Sequence, residues 1–124
     1  MASRLAAFTA RANRLAAYYD AMTAFGGYHV QGQNIQTEAI ADMAGLKCML
    51  NLLDQKDDVD YRAFFEAYAK LWARLNTRET EYFCLMQDPH PLHYLRTNVT
   101  VQQFDQFLEA FDIQEGDGMY LDPA

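Results

Sequence analysis

Two carboxylates that could take part in metal or acid–base chemistry stand four residues apart in the sequence. If this stretch is helical, Glu38 and Asp42 project from one face, about 6 Å apart along the helix axis. Two acids at that spacing repel each other mildly unless a cation lies beside them. The pair therefore suits a metal site, although acids in a first helical turn also stabilise a helix by complementing its dipole.

A histidine and an arginine follow in a stretch that prolines keep out of a helix. In Asp88-Pro89-His90-Pro91 the backbone is restricted on both sides of the imidazole, because proline disfavours the α conformation of the preceding residue. A catalytic hydrogen-bond donor benefits from being held this rigidly. Arg96 lies six residues beyond the histidine. A surface histidine is the simpler interpretation of the loop taken alone.

An aromatic segment precedes this loop. Phe64, Phe65, Tyr68, Leu71 and Trp72 recur at helical spacing. Such a stripe usually belongs to a hydrophobic core.

Hydrophobic periodicity predicts a mainly α protein, a single helical domain of about five helices spanning residues 1–124, with a short extended segment or hairpin. The extended segment is expected at 28–31, and the helices at 3–25, 36–53, 61–75, 77–86 and 100–111. Asp60 and Thr77 are the expected N-caps of the third and fourth helices. The apolar stripe of the first helix includes Leu5 and Phe8.

Composition excludes several classes of protein. The 17 acidic and 10 basic residues give a formal net charge of -7, which opposes binding to nucleic acid or to an anionic membrane. No apolar run approaches the roughly 18–20 residues of a membrane-spanning helix. Cys48 and Cys84 lack metal-ligand spacing and are expected to be buried and reduced. With no secretory signal at the start of the sequence, these features predict a cytoplasmic protein.

Taken together, in this order and at these distances, the patterns resemble the neprilysin family of zinc metalloendopeptidases, which includes the bacterial oligopeptidase O enzymes. The first block is similar to the family's Glu-Asn-Ile-Ala-Asp and Gly-Gly-Leu signature, the second to its Phe-Phe…Phe-Ala-x-x-Trp helix, and the third to its Asp-x-His-x-Pro…Arg stretch. In chain order, the blocks are Glu38–Leu46, Phe64–Trp72, Asp88–His90 with Arg96, Phe107–Phe111 and Gly116–Tyr120.

The resemblance implies a role for each matching residue. Glu38 would be the third protein ligand of one catalytic zinc ion, in a site with two histidines. Asp42 would accept a hydrogen bond from a zinc-bound histidine. His90 would donate to the oxyanion of the tetrahedral intermediate, and Arg96 would bind the peptide carbonyl or that oxyanion.

The resemblance also implies the fold and the substrate. The fold would be that of the C-terminal half of a zincin catalytic lobe, and the substrates would be oligopeptides. Leu71 and Trp72 would wall the pocket that receives the residue after the scissile bond.

One essential motif of the family is absent from the sequence. His29, His90 and His93 do not form His-Glu-x-x-His, which lies upstream of the resembled region in the family. We therefore expect the chain to be a C-terminal portion of a catalytic domain, with the N-terminal part of that domain as its partner. Alone, it should bind zinc weakly or not at all, lack peptidase activity, and self-associate through uncovered faces.

Two alternatives stay open from the sequence. A non-catalytic helical binding or scaffold module that has lost the zinc site would also lack the histidine motif. An unrelated helical domain would leave Glu38 and Asp42 facing solvent.

Overall fold

The structure, a computed structural model, describes residues 3–121. This part of the chain is 66% helical and contains no β-strand. The predicted mainly α fold is therefore confirmed, with six α-helices in the described residues instead of about five. They are α1 (Arg4–Asp20), α2 (Gly32–Leu53), α3 (Tyr61–Trp72), α4 (Arg78–Gln87), α5 (His93–Val101) and α6 (Asp105–Ala110), with a 3₁₀ turn at Phe25–Gly27.

The chain divides into two compact units, each made of two separate stretches of sequence. The first unit contains the residues up to Ile40 together with Asn76–Leu92. The second contains Ala41–Leu75 together with the residues from His93 onward. That residues 1–124 form a single domain stays a prediction. Between residues 3 and 121, no helix combines the length and apolar character that crossing a membrane requires.

In the first unit, small side chains bring the start of α2 close to α1. Gly32 is buried, and a β-carbon at this position would overlap the backbone carbonyl of Ala16. The Asp20 carboxylate at the end of α1 accepts a hydrogen bond from the Gly32 N–H at 2.6 Å. A carboxylate satisfies a free N–H at a helix start and complements the helix dipole. This distant cap explains why α2 begins four residues before the predicted start.

The buried face of α1 differs from the predicted apolar stripe. Leu5 and Phe8 are 73% and 56% exposed, whereas Ala12, Ala16 and Tyr19 are buried. The packed side of α1 thus includes Ala12 and Tyr19 of the predicted stripe, together with Ala16, but not Leu5 and Phe8. The expected hairpin is reduced to a single antiparallel bridge between Thr23 and His29.

The second unit is built around an apolar core to which α2, α3, α5 and α6 all contribute. Asp60 caps α3 by accepting the Ala63 N–H at 2.9 Å, as predicted. The Phe65 and Phe107 rings meet edge to face, with centroids 5.3 Å apart. The buried members of the core are Leu46, Leu50, Phe65, Val101, Phe104 and Phe107.

The predicted final helix over residues 100–111 is wrong. α5 already begins at His93 and ends at Val101, and α6 starts only at Asp105. Phe104 between them is extended, with φ −120° and ψ 129°. Val101, Phe104 and Phe107 span this break, and all three are buried in the core.

The two cysteines also differ from expectation in their burial. Both are free thiols, but Cys48 is exposed and Cys84 is half-buried. The prediction that both thiols are buried is wrong, since Cys48 lies on the outer side of α2.

Two glycines of α2 should respond oppositely to replacement by alanine. Gly32→Ala should destabilise the protein by about 1–3 kcal/mol, because its β-carbon overlaps the Ala16 backbone. Gly45→Ala, with nothing within 4 Å of its β-carbon, should stabilise the helix by up to about 1 kcal/mol. Urea denaturation of the two variants checks both signs, and equal effects would contradict this packing.

Candidate functional site

Glu38 and His90, which lie far apart in sequence, are in contact within the first unit. Glu38 is in the second turn of α2, and His90 lies in the loop between α4 and α5. The imidazole Nε2 is 3.3 Å from the Glu38 Oε2 atom. About two-fifths of each side chain is exposed, 38% for His90 and 39% for Glu38, so a substrate or ion from solvent can reach them.

Asp88 fixes the imidazole from the other side. Its Oδ1 atom accepts the backbone N–H of His90 at 2.9 Å and lies 2.7 Å from the His90 Nδ1 atom. A carboxylate only accepts hydrogen bonds, so Nδ1 must be the donor in this contact. The contact between Nε2 and Glu38 is an ion pair only when both ring nitrogens carry a proton.

In the second unit, Asp42 and Arg96 form a two-point ion pair. Arg96 Nε donates to Asp42 Oδ2 at 2.5 Å, and Nη2 donates to Oδ1 at 2.8 Å. The exposed fractions of the two side chains are small, 14% for Arg96 and 11% for Asp42. Charges this well removed from water are stable only when paired, so α2 and α5 are joined at this point.

Trp72 lies against the face of the same arginine. The guanidinium carbon is 3.7 Å from the centre of the indole ring, a cation–π contact. Trp72 also borders an apolar groove of about 500 Å³ between α2 and α3, together with Asp42 and Leu71. Leu71 is 71% exposed. The other lining residues are Ala41, Gly45, Leu46, Met49, Phe64, Ala67 and Tyr68.

Tyr68 brings a hydroxyl to this groove. Burial raises the pKa of Tyr68 above the usual tyrosine value of 10.0, and the negative charge of Asp42 raises it further. The phenol is therefore a neutral hydrogen-bonding group at any physiological pH.

The structure brings the predicted site residues together as two sets, one in each unit. Glu38 contacts His90, while Asp42 and Trp72 contact Arg96. That all of them converge on one cleft stays a prediction. Two neighbours were missed at the sequence level, Asp88 and Tyr68. The Asp-Pro-His spacing could have indicated Asp88, but a half-buried phenol in an aromatic stripe gives no comparable signal.

Comparisons with known proteins agree with the sequence blocks. The model of peptidase family M13 matches residues 1–124. Neutral endopeptidases of Lactobacillus helveticus and Lactococcus lactis are 34% and 32% identical over 118 and 117 residues. These alignments cover 95% and 94% of this chain but 18% of each relative.

Solved structures show the same relationship. The crystal structure of PepO from Lactobacillus rhamnosis superimposes with a TM-score of 0.86 at 39% identity, covering 94% of this chain and 19% of that one. An inhibitor complex of a Mycobacterium tuberculosis zinc metalloprotease gives 0.83 at 28% identity, covering 94% and 20%. The fold is thus that of a segment of a metallopeptidase. The chain belongs to peptidase family M13, the neprilysin family, and spans about a fifth of the length of the relatives it matches.

The side chains of this chain supply only part of the zinc site that this family implies. Within residues 3–121, no three His, Cys, Asp or Glu side chains are grouped so that they could hold a metal ion. Glu38 is an accessible carboxylate and fits as one zinc ligand. The described residues therefore do not form a complete zinc site, and further ligands would have to come from outside them.

The raised pKa of Tyr68 predicts a loss of stability at alkaline pH. The unfolded chain releases the phenol proton near 10.0 while the folded chain keeps it, so the free energy of unfolding falls as pH rises through that value. Tyr68→Phe should reduce this fall. It should not abolish it, because the hydrogen bond to Asp54 raises the pKa of Tyr61 as well.

Urea denaturation at a series of pH values from about 8 to 11 measures the effect. Tyr82→Phe, at an exposed tyrosine of the first unit, is the matched control for the loss of a tyrosine hydroxyl. A Tyr68→Phe profile identical to that of the parent chain would contradict the assignment.

Proposed function

We propose that this chain forms part of the catalytic domain of a zinc-dependent endopeptidase that hydrolyses oligopeptides. The contact between Glu38 and His90 is the observation that supports this most directly. Family resemblance assigns Glu38 to zinc binding and His90 to oxyanion binding. The Glu38 Oε2 and His90 Nε2 atoms lie 3.3 Å apart. Membership of a peptidase family supplies the class of reaction.

Glu38 would be the ligand that this chain contributes to the zinc ion, with two histidines from outside these residues completing the set. When bound, zinc supplies a Lewis acid that polarises a carbonyl oxygen and lowers the pKa of a water molecule. The exposure of the Glu38 carboxylate is compatible with this role.

His90 would stabilise the oxyanion that forms when water adds to the peptide carbonyl. Asp88 holds Nδ1, so Nε2 is the nitrogen that can donate to a substrate oxygen. A donor fixed in advance lowers the barrier because it needs no reorganisation as negative charge develops.

Arg96 would bind the peptide carbonyl through the nitrogens that point away from Asp42. Asp42 already accepts two hydrogen bonds from Arg96, one on each oxygen. Each carboxylate oxygen can accept a further bond, so Asp42 can also orient a zinc-bound histidine, as the resemblance implies. Leu71 and Trp72 would contact the substrate side chain at the groove.

A partner polypeptide belongs to this proposal. Leu5, Phe8 and Leu75 are large apolar side chains exposed to solvent. Such residues mark surfaces that other protein covers. We propose that the remainder of the catalytic domain covers them in the intact peptidase, and that the isolated chain self-associates through them. The cytoplasmic location stays a prediction.

Replacement of the proposed oxyanion donor tests the function. In the full-length peptidase carrying these residues, His90→Gln should lower kcat by about 10²–10³-fold and change KM little, because the donor acts chiefly in the transition state. His29→Gln, an exposed histidine without a proposed role, should leave both constants unchanged. Peptide-cleavage kinetics measure the effects on kcat and on KM separately. A His90→Gln enzyme with normal kcat would contradict the proposal.

The 124-residue chain should show no zinc-dependent peptide cleavage on its own. It offers one zinc ligand and no His-Glu-x-x-His glutamate to act as general base. Chromatography of an oligopeptide after incubation with the chain and zinc checks this expectation. Metal-dependent turnover by these residues alone would show that the incomplete-site account is wrong, whereas binding to a peptide without cleavage would favour the scaffold alternative.

A further inference from the structure

Arg96 is held at one edge by a carboxylate and on one face by an aromatic ring. Asp42 accepts from Nε and Nη2, both on the same edge of the planar guanidinium. The guanidinium carbon lies over the indole of Trp72, 3.7 Å from the ring centre. The three residues come from three different helices of the second unit, α2, α5 and the end of α3.

The two contacts restrict different motions of the guanidinium. A two-point pair with a carboxylate fixes the group along its edge, but still permits the plane to tilt about the line joining the two accepting oxygens. A ring stacked against the face blocks that tilt. Asp42 and Trp72 therefore each restrict the direction in which the far nitrogen, Nη1, points.

The same indole is also a wall of the apolar groove. Tyr68 packs against it edge to face, with ring centroids 6.4 Å apart and an interplanar angle of 75°. A side chain bound in the groove would press on a ring that supports the guanidinium directly. Occupancy of the groove and orientation of Arg96 are thereby linked through one residue.

Building on the proposed function of Arg96, we propose that Trp72 is a positioning residue for this arginine as well as a wall of the groove. Its ring holds the guanidinium in the orientation that binds the substrate carbonyl, and a large apolar side chain in the groove strengthens that hold. A substrate that fills the groove then gains in kcat, whereas a ring that only lined a pocket would alter KM alone.

The test is a double-mutant cycle in the full-length peptidase, with two peptides that carry leucine or alanine after the scissile bond. Trp72→Leu should lower kcat for the leucine peptide by about 10–100-fold, because small displacements of a positioned group cost that much. Trp72→Phe keeps a ring face and should retain most of kcat. In an Arg96→Ala background, Trp72→Leu should have no further effect on kcat, because its effect passes through Arg96.

Chemical rescue gives a readout that a purely structural role would not move. Guanidinium chloride added to the Arg96→Ala enzyme should restore part of kcat, because the free guanidinium ion can bind in the space between Asp42 and Trp72. The double variant Arg96→Ala with Trp72→Leu should not be rescued. If Trp72→Leu does not accumulate as folded protein, Trp72→Met replaces it, since methionine fills space without a ring face.

A second aromatic–guanidinium contact in the same unit is the matched control. Arg62 lies over the Phe111 ring at 4.4 Å. Phe111→Leu removes a ring from a guanidinium as Trp72→Leu does, but should leave kcat unchanged.

The outcomes separate this proposal from the proposed function. If Arg96→Ala leaves kcat unchanged, the role of Arg96 in the proposed function is wrong and Trp72 has nothing to position. Suppose instead that Arg96→Ala lowers kcat. If Trp72→Leu then alters only KM, or lowers kcat equally with Arg96 present and with Arg96→Ala, the positioning role is wrong and the proposed function stands. Rescue of the double variant by guanidinium would equally overturn the positioning role.

Discussion

The ion pair between Asp42 and Arg96 is the interaction on which the chemistry proposed for the second unit depends. Both side chains are largely withdrawn from water, so each charge requires the other, and loss of one partner costs about 3–5 kcal/mol. The pair fixes α2 against α5, and Trp72 adds the end of α3. One guanidinium thus contacts side chains from two other helices and holds the three helices together. A residue so constrained is well suited to present hydrogen bonds to a substrate, because its orientation is determined before the substrate arrives.

A carboxylate lies next to a basic side chain in each unit, and in each it restricts the direction of a hydrogen-bond donor. Asp88 holds His90 through both its backbone N–H and its ring, and leaves Nε2 as the outward nitrogen. Asp42 holds one edge of Arg96. Because carboxylates can only accept hydrogen bonds, each acid determines which nitrogen of its partner faces elsewhere. The acidic residues near the site thus act in large part by orienting basic ones.

Local features of the fold were predictable from sequence, and features set by distant contacts were not. The caps Asp60 and Thr77 act within three residues of themselves, so their positions follow from local chemistry. The start of α2 depends on Asp20, twelve residues away, and the break before α6 depends on the shared core. The site residues were found through ordered family blocks. The pairing of these residues was not predicted, because residue spacing does not determine which carboxylate contacts which basic side chain.

The central claim is that Glu38 supplies a zinc ligand in a peptidase whose remaining ligands lie outside these residues. The most direct measurement is the zinc X-ray absorption spectrum of the full-length protein, compared between the parent and Glu38→Ala. The account predicts that the substitution removes one oxygen atom from the zinc coordination shell. A spectrum unchanged by the substitution, with the zinc fully bound, would contradict it.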